Sequence, residues 1–192
     1  VGDLSSAVTL AGRHNHQNAA AAFAVCNALG VAPGRIMAAL QTFPGLAHRM
    51  ERVGQIDGVT FINDSKATNA QAAEQALRTW PKVHWIVGGV PKAEGIEPLE
   101  PYFDHVTRAY LIGESSKAFS KSFKDKVPYE ISATVDQAVQ AAFEQALRHV
   151  TERHESLRTA FVTLDNEPLL SIQAKAKVDF KSTDLVDLQG EE

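Results

Sequence analysis

Between residues 15 and 29 the apolar positions Ala19, Ala22, Phe23, Cys26 and Leu29 recur three and four apart. That is the spacing of one helix face, and Gly30 can close such a helix in a left-handed conformation. A second, shorter helix is predicted over residues 33–40, with Pro33 near its first turn, where a missing N–H leaves no bond unmade. The string T-F-P-G-L-A-H-R at residues 42–49 then breaks helical periodicity on a Pro-Gly pair and reads as a connector. A domain boundary is placed there, dividing residues 1–45 from 46–192.

Beyond the boundary the pattern changes. Short β-branched or aromatic runs at residues 59–63, 83–87, 109–112 and 160–164 read as strands, and helical spacing returns at 69–77, 116–123 and 135–150. The last helix is the clearest: Val135, Ala138, Val139, Ala142, Phe143, Ala146 and Leu147 form one apolar stripe, and Thr134 with Gln137 can form a capping box. Strands alternating with helices predict an α/β fold: a Rossmann-like, mostly parallel sheet with flanking helices, preceded by a helical end piece. Near the end, Ala174, Ala176, Val178 and Phe180 alternate with Lys175, Lys177, Asp179 and Lys181, which is strand periodicity, before an acidic tip.

Composition narrows the function classes. The 192 residues carry 19 Lys and Arg against 23 Asp and Glu, a net charge of −4, which argues against a nucleic-acid partner reading a basic stripe. The single Cys26 excludes an internal disulfide framework, and its place on an apolar helix face suits packing better than nucleophilic chemistry. No apolar run reaches the roughly 18 residues of a membrane span, and the first residues lack the basic and apolar regions of a signal peptide. The chain begins without Met, as a fragment would. It reads as soluble and cytoplasmic.

Chemistry is concentrated in four strings. In Phe61-Ile62-Asn63-Asp64-Ser65-Lys66-Ala67-Thr68-Asn69 a strand end runs into polar groups and then a helix. Ligands of open α/β sheets bind outside such strand ends, and helix N–H groups with a lysine suit a carboxylate or phosphate; a plain helix cap by Asp64 or Ser65 fits the local chemistry equally well. In Val87-Gly88-Gly89-Val90-Pro91-Lys92 two glycines allow a close backbone approach and Lys92 adds a point charge, although an ordinary strand-to-loop turn would look the same. Asn15 and Asn18, three apart at a helix start, present amides on one side. The neighbouring His14 and His16, with no carboxylate or thiol beside them, make too small a set for a metal. Arg49 offers a planar fork for phosphate or carboxylate, with a surface pair to Glu51 as the plainer alternative. Gly113-Glu114-Ser115-Ser116 is expected to supply a turn and a helix cap. No G-x-x-x-x-G-K-[ST] loop occurs anywhere in the chain.

Taken in order, G-R-H-N-x-x-N-x-x-A-A, F-P-G-L-x-H-R-M-E, G-V-x-F-I-N-D-S-K-A-T-N and G-G-x-x-K closely resemble the Mur ligase family over most of residues 10 to about 165. The I-N-D-S-K-A-T-N string is specific to the branch that couples D-glutamate. The resemblance implies a three-domain enzyme of which this chain is the end of the central ATPase domain (1–45) plus the C-terminal Rossmann-like domain (46–192). The family reaction joins D-glutamate to UDP-N-acetylmuramoyl-L-alanine in peptidoglycan synthesis, with ATP and Mg2+, through an acyl phosphate. By match of motif, Asn15, Asn18, Arg49 and Asp64 lie on the nucleotide side, while Lys66, Thr68 and Lys92 hold D-glutamate, with Lys66 and Lys92 as the catalytic charges. The phosphate loop and most magnesium ligands belong to family parts absent here, so the isolated chain is expected to be inactive. The competing class is a non-catalytic nucleotide- or amino-acid-binding module. One departure stands out. The family's Ser-Pro-Ala-x-Ala-Ser-x-Asp-x-Phe segment is replaced by Leu164-Asp165-Asn166-Glu167-Pro168-Leu169-Leu170-Ser171, which makes the tail after about residue 165 atypical.

Overall fold

A computed structural model describes residues 3–56, 58–91, 94–164 and 167–174. Its chain forms two compact units, residues 1–138 and 139–192.

The first unit opens with helices α1 (Arg13–Ala28) and α2 (Pro33–Gln41). They gather around a small cluster in which Ala19 packs with Leu4, Ala7 and Leu10, and Met37 and Leu40 lean against it. The apolar stripe of α1 is only partly used. Ala19 is buried, Phe23 and Cys26 are half-buried, and Leu29 is 79% exposed. The short alanine-rich face reaches that cluster at one turn only.

Strands β1 (Glu51–Ile56) and β2 (Val59–Asn63) then form an antiparallel hairpin, with Glu51 opposite Asn63 at its open end and Ile56 opposite Val59 at the turn. The expected strand at 59–63 is therefore present, but its described partner is β1 rather than the parallel sheet. The Asp57-Gly58 dipeptide is the hairpin signal, and Gly58 has φ of 82°, as such turns require.

The parallel sheet comprises β3 (Val83–Gly88), β4 (Val106–Ile112) and β5 (Tyr129–Ile131) in the order β3-β4-β5. Helix α3 (Ala70–Thr79), the 3₁₀ segment Glu97–His105 and α4 (Ser116–Phe123) flank it. Their core joins Leu77 from α3, Leu99 and Phe103 from the 3₁₀ segment, Ala109 and Leu111 from β4, and Phe123 from α4. Alternation along the strands explains the two faces: Val83, Trp85 and Val87 pack against this core, while His84 Nδ1 meets the Tyr110 hydroxyl at 3.0 Å. Tyr110 is fully buried, and burial pushes its phenol up to about 12.

Helix α5 (Val135–Arg153) begins at the end of the first unit. Thr134 Oγ1 accepts from the Gln137 N–H and Gln137 Oε1 from the Ala133 N–H, both at 3.2 Å, a capping box shifted by one residue on its return bond. The second unit contains the hairpin of β6 (Thr159–Leu164) and β7 (Glu167–Ile172). Of the alternating tail, positions 175–192 lie outside the described residues. Among the described residues no helix is long and apolar enough to cross a membrane.

Candidate functional site

An antiparallel hairpin places the residue before its first strand beside the residue after its second. Here that geometry brings His48, Arg49 and Met50, which precede β1, against Asp64, Ser65 and Lys66, which follow β2. Two hydrogen bonds, one backbone to backbone and one backbone to side chain, fasten the segments on either side of Arg49. The Lys66 N–H donates to the His48 carbonyl at 3.0 Å, and the Met50 N–H donates to Asp64 Oδ1 at 3.0 Å. His48 and Met50 both have positive φ, 63° and 48°. Non-glycine residues adopt that region at a cost, so the surrounding bonds must hold them there. Met50 is buried and anchors the turn, while Arg49 projects as an exposed side chain.

Asp64 is half-buried. Burial pushes its carboxyl above the usual carboxylate range, against the pull of the Met50 N–H and the charges of His14 and Arg49. His14, in the first turn of α1, also faces this carboxylate. Burial nonetheless holds its imidazole below the usual value, and its Nδ1 is buried without a hydrogen-bond partner among the described residues. The site thus joins three stretches of sequence: the start of α1, the turn at Arg49, and the loop after β2.

The loop from Asp64 to Thr68 is not part of the following helix. Asn69 is the N-cap of α3, its side chain accepting the Ala72 N–H at 2.8 Å, so neither Asp64 nor Ser65 serves as the cap. Lys66 and Thr68 are exposed in this loop, and the Thr68 N–H donates to the Lys66 carbonyl at 3.0 Å. Glu51 accepts from the His48 N–H at 2.8 Å and from Asn63 Nδ2 at 3.2 Å, which settles the alternative of a surface pair with Arg49. Among the described residues neither Arg49 nor Lys66 enters a salt bridge. Two exposed cations beside a strand end suit an anionic ligand.

The remaining candidate residues divide. Asn15 Nδ2 donates to the Ala11 carbonyl at 2.9 Å, which engages one of its two N–H donors, and Asn18 is exposed one turn along α1. Lys92 lies outside the described residues. The glycines ahead of it approach their own neighbours. A Cβ on Gly88 would lie 1.9 Å from the Ile112 carbonyl oxygen, and the Gly89 N–H donates to that same oxygen at 3.0 Å. Ser115, expected as a helix cap, makes no side-chain cap bond; its Oγ donates instead to the Gly89 carbonyl at 3.1 Å. The ends of β3 and β4 are thereby tied together at the sheet's carboxyl edge. Among the described residues no three His, Cys, Asp or Glu side chains gather as a metal set.

The motifs contain Glu51, Asn63 and His48 without giving any of them a role in the site. Glu51 stands in the sequence as an acidic neighbour of Arg49 and Asn63 as a polar residue at a strand end; the Asp57-Gly58 dipeptide is the signal that sets them opposite one another.

Residues 48–153 match the family described as "Mur ligase, glutamate ligase domain". Among curated proteins, the chain is 52% identical over 149 residues to the UDP-N-acetylmuramoylalanine--D-glutamate ligase of Agrobacterium fabrum, covering 78% of this chain and 32% of the relative. The protein of that name from Rhizobium johnstonii is 51% identical, over 82% of this chain and 33% of its own length. That from Caulobacter vibrioides is 47% identical, over 86% and 35%. The chain spans about a third of the length of the curated relatives it matches.

Proposed function

This chain belongs to the Mur ligase family, and on that footing we propose that it supplies the C-terminal portion of an ATP-dependent ligase that adds D-glutamate to UDP-N-acetylmuramoyl-L-alanine in peptidoglycan synthesis. The observation that carries the reading is the convergence of Arg49, Asp64 and Lys66 at the open end of the β1–β2 hairpin, within the motifs that resemble this branch. In the proposed division, residues 1–45 complete the central ATPase domain and residues 46–192 form the amino-acid-receiving domain; the start of the family match at residue 48 supports that boundary.

The chemistry asks for charge neutralisation and alignment rather than a covalent enzyme intermediate. The muramoyl peptide carboxylate attacks the terminal phosphorus of ATP, ADP leaves, and the acyl phosphate is attacked by the amine of D-glutamate, which expels phosphate and loses a proton. Arg49, exposed and outside any salt bridge among the described residues, presents its fork to phosphate oxygens. Asp64 accepts hydrogen bonds on the nucleotide side, alongside Asn15 and Asn18. Lys66, Thr68 and Lys92 hold D-glutamate, and the two lysines screen its carboxylates from the acyl phosphate, because opposite charges in a partly dry site interact several-fold more strongly than in water. Magnesium neutralises phosphate charge when bound, and its ligands are proposed to come mostly from the domains outside this chain. Those domains also supply the phosphate loop, so the isolated chain binds ATP no better than roughly millimolar and turns over nothing. The proposed setting is the cytoplasm.

The test is Lys66→Ala in the full-length ligase, with the isolated 192-residue chain as the blank. Loss of a charge used mainly in the transition state should lower kcat by on the order of 2–4 kcal/mol of barrier, with little change in stability. Near-normal turnover at saturating substrates would demote Lys66 to a surface charge. Micromolar ATP binding or phosphate release by the chain alone would show that the catalytic half has been misplaced.

A further inference from the structure

The turn that presents Arg49 is built from two residues in a disfavoured backbone region, and the family motifs leave unexplained what holds it. The hydrogen bonds converge on one side chain. Asn63 Nδ2 lies 3.0 Å from His48 Nδ1 and donates at 3.2 Å to Glu51 Oε2, while Asn63 Oδ1 accepts the Ser65 N–H at 3.2 Å. Glu51 Oε2 in turn accepts the His48 N–H at 2.8 Å. An amide NH2 can only donate, so in this contact His48 Nδ1 is the acceptor. One amide therefore touches the residue before Arg49, the first residue of β1, and the loop that carries Lys66.

We propose that Asn63 and Glu51 are positioning residues for Arg49 and Lys66: paired across the open end of the hairpin, they clamp His48, and His48 hands the register on to Lys66 through its carbonyl. Neither side chain is placed against a ligand. Their action is to keep two exposed cations at a fixed separation before an anion arrives, so that little ordering remains to be done on binding. The inference rests on the reading of Arg49 and Lys66 as ligand-facing.

Asn63→Asp is the informative variant. It retains the oxygen that accepts the Ser65 N–H, removes the Asn63 amide donor to His48 Nδ1 and Glu51 while leaving the His48 N–H bond to Glu51, and sets two carboxylates face to face. Glu51→Gln is the conservative counterpart, since its amide oxygen can still accept from His48 and Asn63. Two readouts on the 192-residue chain separate the questions: amide hydrogen exchange at Met50 and Lys66, and binding of inorganic tripolyphosphate followed by NMR at Arg49 and Lys66. Loss of one charge-assisted bond corresponds to roughly tenfold. Asn63→Asp should speed exchange at those two amides and weaken tripolyphosphate binding by about that factor, with exchange in α3, β3 and β4 unchanged, and Glu51→Gln should stay within about twofold of the parent. If the parent chain fails to bind tripolyphosphate, the reading of the two cations falls and the proposal with it. If the parent binds and Asn63→Asp alters neither affinity nor local exchange, the proposal alone is overturned. Faster exchange spread across the whole first unit would also overturn it, by making Asn63 a general stabiliser.

Discussion

Replacing Gly88 with alanine tests the carboxyl edge of the parallel sheet by putting a methyl group in place of a hydrogen where the structure has no room. Gly88 ends β3 directly opposite Ile112, the last residue of β4, and an added Cβ would sit 1.9 Å from the Ile112 carbonyl oxygen and 2.8 Å from its carbon. Both neighbours are backbone, so no side chain can swing aside, and the strand ends must part by about 1 Å to reach even a tight contact.

Three hydrogen bonds are exposed to that movement: Gly89 N–H to Ile112, and the Ser115 N–H and hydroxyl to Gly89. Ser115 is 1% exposed, so water cannot replace the lost partner. Overpacking alone costs about 1–3 kcal/mol, and an unsatisfied buried hydroxyl about 1–3 more; with partial relaxation the expected loss is about 3–5 kcal/mol. That is a large share of an ordinary domain's stability, about 5–15 kcal/mol. Urea unfolding followed by tryptophan fluorescence measures it, because Trp85 in β3 packs edge-on against Phe123 at 5.9 Å and reports on this sheet. Gly34→Ala is the internal control. It makes the same chemical change in α2, where nothing lies within 4 Å of the new carbon, and should be neutral or stabilising by up to about 1 kcal/mol. A loss below about 1 kcal/mol for Gly88→Ala, at an unchanged denaturant slope, would refute the close approach.

Asn69→Ala should cost about 1 kcal/mol by removing the N-cap of α3, and Asn69→Asp should restore most of it; a neutral Asn69→Ala would mean the cap bond to Ala72 contributes nothing in solution. Arg49→Lys in the full-length ligase should raise the KM for ATP, because an ammonium cannot reproduce the planar fork; unchanged ATP dependence would remove Arg49 from the nucleotide side. His14 titrates below its ordinary 6.5 in the folded chain because burial disfavours its charged form. The folded state therefore favours the neutral imidazole, and its contribution is present above about pH 6.5 and lost as the pH falls through 6.5 towards the lowered value. Denaturant midpoints taken between about pH 7 and pH 5 should fall, and His14→Gln should flatten that fall; equal slopes in both proteins would refute it.

Much of the fold was legible because periodicity survives in elements with one clear apolar face. Helix α4 occupies the predicted residues 116–123, α5 starts at the predicted Val135, and β3 runs one residue past its predicted end. The elements without a sequence signal lack that face. In β1, Glu51, Arg52, Gly54 and Gln55 leave few apolar positions, and the register slips between Arg52 and Gly54, so alternation is interrupted within six residues. Strand β5 has three residues, all exposed, and belongs to the sheet only through its pairing with β4. Strand β7 carries Pro168, which cannot donate to a ladder and reads as a break.

The candidate site was legible as chemistry and illegible as geometry. Arg49, Asp64 and Lys66 each stand out by residue type at a strand or loop boundary, yet the first two stand fifteen positions apart, and no helical or strand period links them. What joins them is the antiparallel turn, a two-residue feature midway between, whose consequence is felt only at the hairpin's open end. The same logic explains why the capping reading of Asp64 fails. A cap would have required the helix to begin at once, whereas α3 waits until Ala70, behind Asn69, and the intervening loop is then free to turn back and place its backbone on His48. Polar residues between a strand and a helix thus serve two masters, and the competition is decided by a contact from elsewhere in the chain. Here the deciding contact is the Met50 N–H, which engages Asp64 Oδ1 through a residue held in a left-handed conformation. That backbone strain sits beside the cation proposed to meet the phosphate, where a fixed direction for one side chain is worth more than a relaxed turn.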